Sequence, residues 1–230
     1  MKIFFRLLLA HLLADFTLQT DFIAKWKKNN FLGVVVHSLI FFILSLIFTF
    51  PELNKIWMSY PLKINGWICL ILLFLLHMLE DEYRSYNVRH YKVNDNFLFF
   101  LWDQAIHIVF LFTFSPYENF ELEPIIIILC IFILGTHFTS IIILYLEIML
   151  YGKELAYKNF NKKNYYIFLR LITMVFFLLP GKFFLLSFLV LPLFIILKIK
   201  VKHLSFYGFK VNILSAYFYG SLILYLLRKV

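Results

Sequence analysis

Long apolar blocks separated by short polar stretches follow one another along this 230-residue chain. Hydrophobic residues make up 63% of the sequence and charged residues only 15%, which is far from the composition of soluble globular domains. Because ~20 consecutive apolar residues let a helix cross the hydrocarbon core of a bilayer, the pattern predicts an all-α, polytopic transmembrane helical bundle. The predicted spans are eight: 3–23, 31–50, 66–83, 96–114, 124–150, 165–180, 183–198 and 209–227.

Seven spans is the alternative, because Pro180-Gly181 can mark either a tight turn between two short spans or a break in one longer segment. No internal repeat or change of composition separates a soluble domain. We therefore expect a single integral membrane domain over 1–230, with a polar-site half at 1–115 and supporting transmembrane helices at 116–230.

The N-terminus resembles the start of a secretory signal, since Lys2 and Arg6 precede a run of leucines. No small-residue cleavage site follows, and His11 and Asp15 interrupt the apolar run. We expect this segment to be the first helix of the mature protein.

Lysine and arginine are concentrated in alternate connections. The basic connections are 25–30, 84–92, 151–163 and 198–203, whereas 51–65 and 115–124 are poorer in base. By the positive-inside rule the basic set is cytoplasmic, so topology accounts for the net charge of +9 more simply than a nucleic-acid partner does. We expect a multi-pass protein of the cytoplasmic membrane, surrounded by lipids, with no nucleic-acid partner. Cys69 and Cys130 lie in apolar blocks, which argues against a disulfide framework or a thiolate zinc site.

The first four predicted spans contain polar residues that a bilayer tolerates poorly. Three spans carry a histidine and an aspartate four residues apart, and one carries a single histidine; the residues are His11 and Asp15, His37, His77 and Asp81, and Asp103 and His107. Each pair shares one helix face, ~6 Å apart along the axis. The order is reversed in the fourth span, which runs in the opposite direction from the first and third, so in every pair the histidine is the deeper residue. Because a charge near mid-bilayer costs ~2.5–3.5 kcal/mol or more, we expect one inward-facing layer near the cytoplasmic side.

Imidazole and carboxylate groups in one layer favour a metal site. These ligands suit Zn²⁺ above all, with Mn²⁺ or Fe²⁺ as alternatives, and catalytic zinc commonly keeps three protein ligands and a water. We expect His11, His77 and His107 to bind the metal. Asp15, Asp81 and Asp103 would orient these histidines, bridge a second metal or act as general base, and His37 would be a fourth ligand or a proton donor. A proton relay without metal is the competing interpretation.

The same residues also lie in recognisable motifs. The segments "HLLADFTLQTD" (11–21) with the following Lys25, "VVVHS" (34–38), "HMLEDEYR" (77–84) and "DQAIH" (103–107) resemble the bacterial membrane family called domain of unknown function 3307, over about residues 1–115. The matching positions are His11, Asp15, Gln19, His37, His77, Asp81, Asp103, Gln104 and His107. The chain departs from the pattern at 80–82, where "EDE" stands in place of an apolar residue beside Asp81, so Glu80 joins Gln19 and Gln104 as a secondary candidate.

The resemblance implies no established activity. A looser similarity to membrane-bound metal-dependent hydrolases, which carry scattered His and Asp in their first helices, favours the metal interpretation by analogy. The sequence therefore predicts an integral membrane metal-dependent hydrolase acting on a lipid or lipid-linked substrate. The alternatives are a proton- or cation-coupled transporter using the same layer, and a noncatalytic scaffold. Gln19 lies nearer the loop than the His/Asp layer, which suits substrate entry or helix capping.

Overall fold

A computed structural model describes residues 1–116, 123–200 and 205–229. The chain divides into two compact units, residues 1–127 and 128–230, and each is described by itself. The α-helices are α1 Lys2–Leu12, α2 Asp21–Asn29, α3 Phe31–Thr49, α4 Gly66–His90, α5 Phe97–Thr113, α6 Pro124–Ile133, α7 Thr139–Tyr151, α8 Lys153–Phe160, α9 Lys163–Phe176, α10 Leu191–Lys200 and α11 Phe206–Lys229. Two π-helical turns, Leu13–Thr17 and Leu134–Phe138, and two 3₁₀ helices, Phe50–Glu52 and Phe183–Val190, complete the helical structure of the described residues.

The first unit is built on α1, α3, α4 and α5, which pack around a core that includes Leu7, Phe41 and Leu73. An antiparallel pair of short strands, β1 Ile56–Met58 and β2 Ile64–Asn65, lies between α3 and α4. Helix α2 packs on α3 and α4.

The first predicted span, 3–23, is not one straight helix. After α1 the chain passes through the π-helical turn and then bends, so that the helix Lys2–Thr17 and α2 meet at 91°. The bend follows from local chemistry, because the hydroxyl of Thr20 accepts a hydrogen bond from the Ile23 amide at 3.3 Å and starts a new helix there. The bend brings α2 against the side of the bundle.

Within the described residues, three helices are long and apolar enough to cross a membrane: Phe31–Glu52, Pro124–Tyr151 and Tyr207–Lys229. The number rises to four if the bent pair is one span. These helices are consistent with an integral membrane protein, but they do not support eight spans, or seven.

The shortfall in spans has physical causes. The first 18 residues of α4 already contain three carboxylates, Glu80, Asp81 and Glu82. Helix α9 is only 14 residues long, and Phe97–Thr113 and Phe183–Ile199 fall in the range of 10–17 residues. Pro180-Gly181 lies in a turn in which Gly181 has a φ of 62°, a conformation that favours glycine.

The second unit is organised around a fully buried arginine on α9. Arg170 is 0% exposed, and its Nε donates to the carbonyl of Gly135 at 2.8 Å, in the second π-helical turn. Its other nitrogens donate to the Thr136 carbonyl, the Ser140 hydroxyl and the Asn212 side-chain oxygen. The guanidinium therefore binds two backbone carbonyls of this π-helical turn.

Candidate metal centre

Four helices of the first unit bring the predicted polar residues into one buried cluster. His11 lies in the last turn of α1 and Asp15 in the π-helical turn that follows it, while α3 supplies His37. Helix α4 supplies His77 and Asp81, and α5 supplies Asp103, Gln104 and His107. The four histidines are 0–3% exposed, and the Asp15 side chain is 6% exposed. The structure therefore brings together all seven histidines and aspartates expected in one layer.

One oxygen of Asp15 lies at the centre of three imidazoles. Asp15 Oδ1 is 3.3 Å from His37 Nε2, 3.6 Å from His11 Nδ1 and 3.7 Å from His77 Nε2. Asp81 Oδ2 is 3.4 Å from both His37 Nε2 and His77 Nε2. The π-helical geometry at Leu13–Thr17 belongs to this site, as π-turns in other proteins often do.

These separations are long for hydrogen bonds but suit ligands of one ion. An N–H···O bond usually measures ~2.7–3.2 Å between heavy atoms. Two ligands bound at ~2.1 Å to the same ion lie roughly 3.0–3.5 Å apart, depending on the coordination angle. The distances of 3.3 and 3.4 Å fall within the second range, and those of 3.6 and 3.7 Å lie just beyond it.

Within residues 1–116, 123–200 and 205–229, the atoms at these distances have no hydrogen-bond partner. They are His11 Nδ1, Asp15 Oδ1, His37 Nε2, His77 Nε2 and Asp81 Oδ2, all buried. Buried polar atoms in folded proteins are nearly always paired, because an unpaired one costs ~1–3 kcal/mol. Five such atoms from α1, its π-turn, α3 and α4 lie close together, in an arrangement that could hold a metal ion.

The set contains two groups whose ligand atoms all lie within 4.8 Å of one another. One group is His11, Asp15 and His77, and the other is His37, His77 and Asp81. Both include His77, whose Nε2 has a single lone pair and can bind one ion at a time. The two groups could therefore not each bind an ion through that nitrogen at the same time.

Gln104 sets the orientation of the α1 residues. Its side-chain oxygen is 3.2 Å from His11 Nε2, so His11 carries its proton on Nε2 and presents the Nδ1 lone pair to the cluster. Its amide nitrogen donates to Asp15 Oδ2 at 3.3 Å and to Asp103 Oδ2 at 3.0 Å. Such outer hydrogen bonds are typical of metal ligands.

His107 and Asp103 lie next to the two ligand groups but belong to neither of them. His107 Nδ1 donates to the backbone carbonyl of Asp103 at 2.8 Å, which leaves Nε2 unpaired and the ring centre 4.4 Å from that of His77. Asp103 Oδ2 accepts from Arg84 Nη1 at 2.9 Å. The expected ligand trio of His11, His77 and His107 is thus not the trio that the distances group together.

Two cationic side chains that the sequence did not single out bind the cluster. Lys27 Nζ is 2.5 Å from Asp81 Oδ1, and Arg84 joins Asp103 to Asp95 through bonds of 2.9 and 2.8 Å. Arg84 lies three residues after Asp81, one helical turn further on, and this spacing was a usable signal. The sequence contains no such signal for Lys27, because the bend before α2 determines the direction of its side chain. Lys25, which belongs to the motif, is exposed.

Lys28 adds a further charge to Asp95, at 3.0 Å. Burial opposes ionisation of the Asp95 carboxyl, but Arg84 and Lys28 outweigh burial and hold the pKa of Asp95 below its ordinary value. Asp95 lies in the connection between α4 and α5, so its ion pairs tie that connection to α2 and α4.

The three secondary candidates, Gln104, Glu80 and Gln19, differ in their relation to the cluster. Gln104 belongs to the cluster, as described. Glu80 is partly buried and its Oε1 has no hydrogen-bond partner, but it belongs to neither ligand group. Gln19 lies in the non-helical connection 18–20 and makes no hydrogen bond to the cluster.

Comparison with known proteins connects the cluster to a family. A family model with the description "Protein of unknown function (DUF3307)" matches residues 3–124, a range that contains every residue of the cluster. No curated protein and no solved structure matches the chain. The matched range exceeds half of the sequence, and the chain therefore belongs to the DUF3307 family.

Proposed function

We propose that the first unit binds a divalent transition-metal ion, zinc by preference, and works as an integral membrane hydrolase on a lipid or lipid-linked substrate. The observation that carries the proposal is the set of five buried, unpaired ligand atoms on His11, Asp15, His37, His77 and Asp81. Their mixture of imidazole nitrogen and carboxylate oxygen suits Zn²⁺, with Mn²⁺ or Fe²⁺ as alternatives.

Each ligand group supplies three protein atoms. Three protein ligands leave a position for water, and a bound zinc ion lowers the pKa of such a water to ~7. The chain's own residues would then handle the proton. Asp15 and Asp81 each have an oxygen at the cluster, so whichever does not bind the ion can accept a proton.

His107 offers a second acceptor, whose unpaired Nε2 could take the proton of such a water and then deliver it to a leaving group. Its Nδ1 is held by the Asp103 carbonyl, and its Nε2 is a buried, unpaired acceptor. Arg84 and Gln104 fix the neighbouring Asp103 carboxylate, which stabilises α5 next to the ring. In this scheme Asp103 is a positioning residue, which differs from the metal-ligand role expected for it.

The apolar surroundings support a membrane-embedded substrate. His37 lies on Phe31–Glu52, a helix that can cross a bilayer, so the cluster is within reach of lipid chains. Lys27, Lys28 and Arg84 lie at the end of the cluster where the aspartates are. By the positive-inside rule this end faces the cytoplasm, in the cytoplasmic membrane.

Metal analysis of purified protein tests the metal centre. Protein purified without chelators should contain about one zinc, manganese or iron ion per chain, and His77→Ala should lose it because His77 belongs to both ligand groups. His137→Ala is the matched control, since His137 is a partly buried histidine of the second unit bonded to Thr136. Metal-free wild-type protein, or equal loss in both variants, would contradict the proposal.

A turnover assay tests the hydrolase. Long-chain acyl esters and polyprenyl phosphates in detergent micelles should release acid or phosphate with the metal-loaded wild type and not with His77→Ala. If the metal is bound but no substrate is cleaved, proton or cation flux into vesicles containing the protein would favour the transporter. If cells that carry Asp15→Asn have the same phenotype as cells with the wild-type protein, a noncatalytic scaffold would be favoured.

A further inference from the structure

One lysine reaches the cluster from outside the four helices that build it. Lys27 Nζ contacts Asp81 Oδ1 at 2.5 Å, and its side chain is only 12% exposed. The neighbouring Lys28 is 48% exposed and pairs with Asp95. Lys27 is thus a partly buried partner of the cluster, whereas Lys28 is an ordinary surface cation.

The backbone of Lys27 is held on two sides. Helix α3 comes so close that a Cβ added to Gly33 would lie 2.4 Å from the Lys27 nitrogen. From α4, Arg89 donates to the Lys27 carbonyl at 3.4 Å. The contact between Lys27 and Asp81 is therefore built into the packing of α2 against α3 and α4.

The two oxygens of Asp81 face different partners. Oδ2 lies 3.4 Å from His37 Nε2 and His77 Nε2, among the ligand atoms, while Oδ1 holds the Lys27 ammonium. In two-metal hydrolytic centres the ions lie ~3.5–4 Å apart, close enough for one carboxylate to bridge them. The ammonium therefore occupies the carboxylate oxygen to which a second ion would bind.

We infer that Lys27 takes the place of a second divalent ion and restricts the centre to one metal, an inference that rests on the proposed function. Charge agrees with this role. The net charge of Asp15, Asp81 and Lys27 is one negative charge. One divalent ion would change this net charge to one positive charge, and two ions would change it to three positive charges, a large buried excess.

Metal stoichiometry after charge reversal tests this inference. Lys27→Glu removes the ammonium and supplies a carboxylate beside Asp81 Oδ1. Lys28→Glu makes the same charge change one residue further on, at an exposed position. With zinc as the probe, we expect one ion per chain in the wild type and in Lys28→Glu, and two in Lys27→Glu.

A second variant keeps the test informative if Lys27→Glu does not fold. Lys27→Gln removes only the positive charge, so the affinity for the first zinc should rise about tenfold or more in a chelator competition. An unchanged or lower affinity would overturn the inference.

The outcomes separate this inference from the proposed function. Wild-type protein without metal would overturn both. Two ions in the wild type, or one ion in a folded Lys27→Glu, would overturn the role of Lys27 and leave the metal centre standing.

Discussion

Replacing Asp15 by asparagine should change the stability of the protein in a way that depends on metal. The substitution keeps the shape of the side chain and removes its charge. Asp15 Oδ1 lies 3.3–3.7 Å from three imidazole nitrogens. Among the described residues Asp15 has no lysine or arginine partner, whereas Asp81 pairs with Lys27 and Asp103 with Arg84. A metal ion is the missing counter-charge in this interpretation.

The magnitude follows from linkage. At a free metal concentration one hundred times the Kd, binding stabilises the folded state by ~2.7 kcal/mol. For a chain of 230 residues this raises Tm by roughly 5–10 °C. Losing a charged ligand should cost about hundredfold in affinity, the upper end of the effect of removing even an outer partner. At the same metal concentration the variant would then gain only ~0.4 kcal/mol.

Without metal, Asp15→Asn should not destabilise the protein. In chelator the wild type keeps a buried carboxylate oxygen with no hydrogen-bond partner. Removing that charge should leave the metal-free protein as stable as the wild type, or more stable by about 1–3 kcal/mol.

Thermal unfolding in detergent, with zinc and with chelator, measures both effects. Glu154→Gln, at an exposed position in the first turn of α8, is the control and should behave as the wild type does. An equal fall of Tm in zinc and in chelator on Asp15→Asn would exclude a metal partner, because Asp15 would then serve as the partner of protonated histidines.

Three further predictions concern the scaffold. Arg170→Met leaves buried oxygens of the second unit without donors, so the free energy of unfolding should fall by ~3 kcal/mol or more; a loss below ~1 kcal/mol in denaturant titration would contradict this. Gly33→Ala pushes a methyl group against the Lys27 backbone and should cost ~1–3 kcal/mol by the same measurement, whereas an unchanged value would show that α2 moves freely. Because the pKa of Asp95 is lowered in the folded state, its charge stabilises the protein above pH ~3.9, and this contribution disappears as the pH falls through the lowered pKa. Asp95→Asn should therefore unfold with a weaker dependence on pH between 6 and 3, and an identical pH profile would exclude this contribution.

The cluster was predictable because helix periodicity acts locally. His77 and Asp81, like Asp103 and His107, lie one turn apart, so each pair occupies one face whatever the rest of the chain does. The cost of burying charge in an apolar block then requires these faces to meet. In the structure, the four helices bring these faces together in one buried cluster.

The choice of ligands was not predictable in the same way. Which imidazole nitrogen points inward depends on the partner of the other nitrogen, such as Gln104 for His11 and the Asp103 carbonyl for His107. These partners come from other helices or from the backbone, so composition and spacing do not indicate them. The span count failed for a related reason, since hydropathy does not show the 91° bend after Thr17 or the shortness of α9.

Hydropathy and the 3.6-residue period are properties of single segments, so they are enough to predict a helical protein with apolar segments and a His/Asp layer on its first four helices. Other features follow from the tertiary fold: Asp15 and Asp81 lie among the imidazoles, Arg84 holds Asp103, and Lys27 reaches Asp81. Those contacts join residues far apart in the chain, and their geometry depends on a π-helical turn, a bend and the close approach of α2 to Gly33.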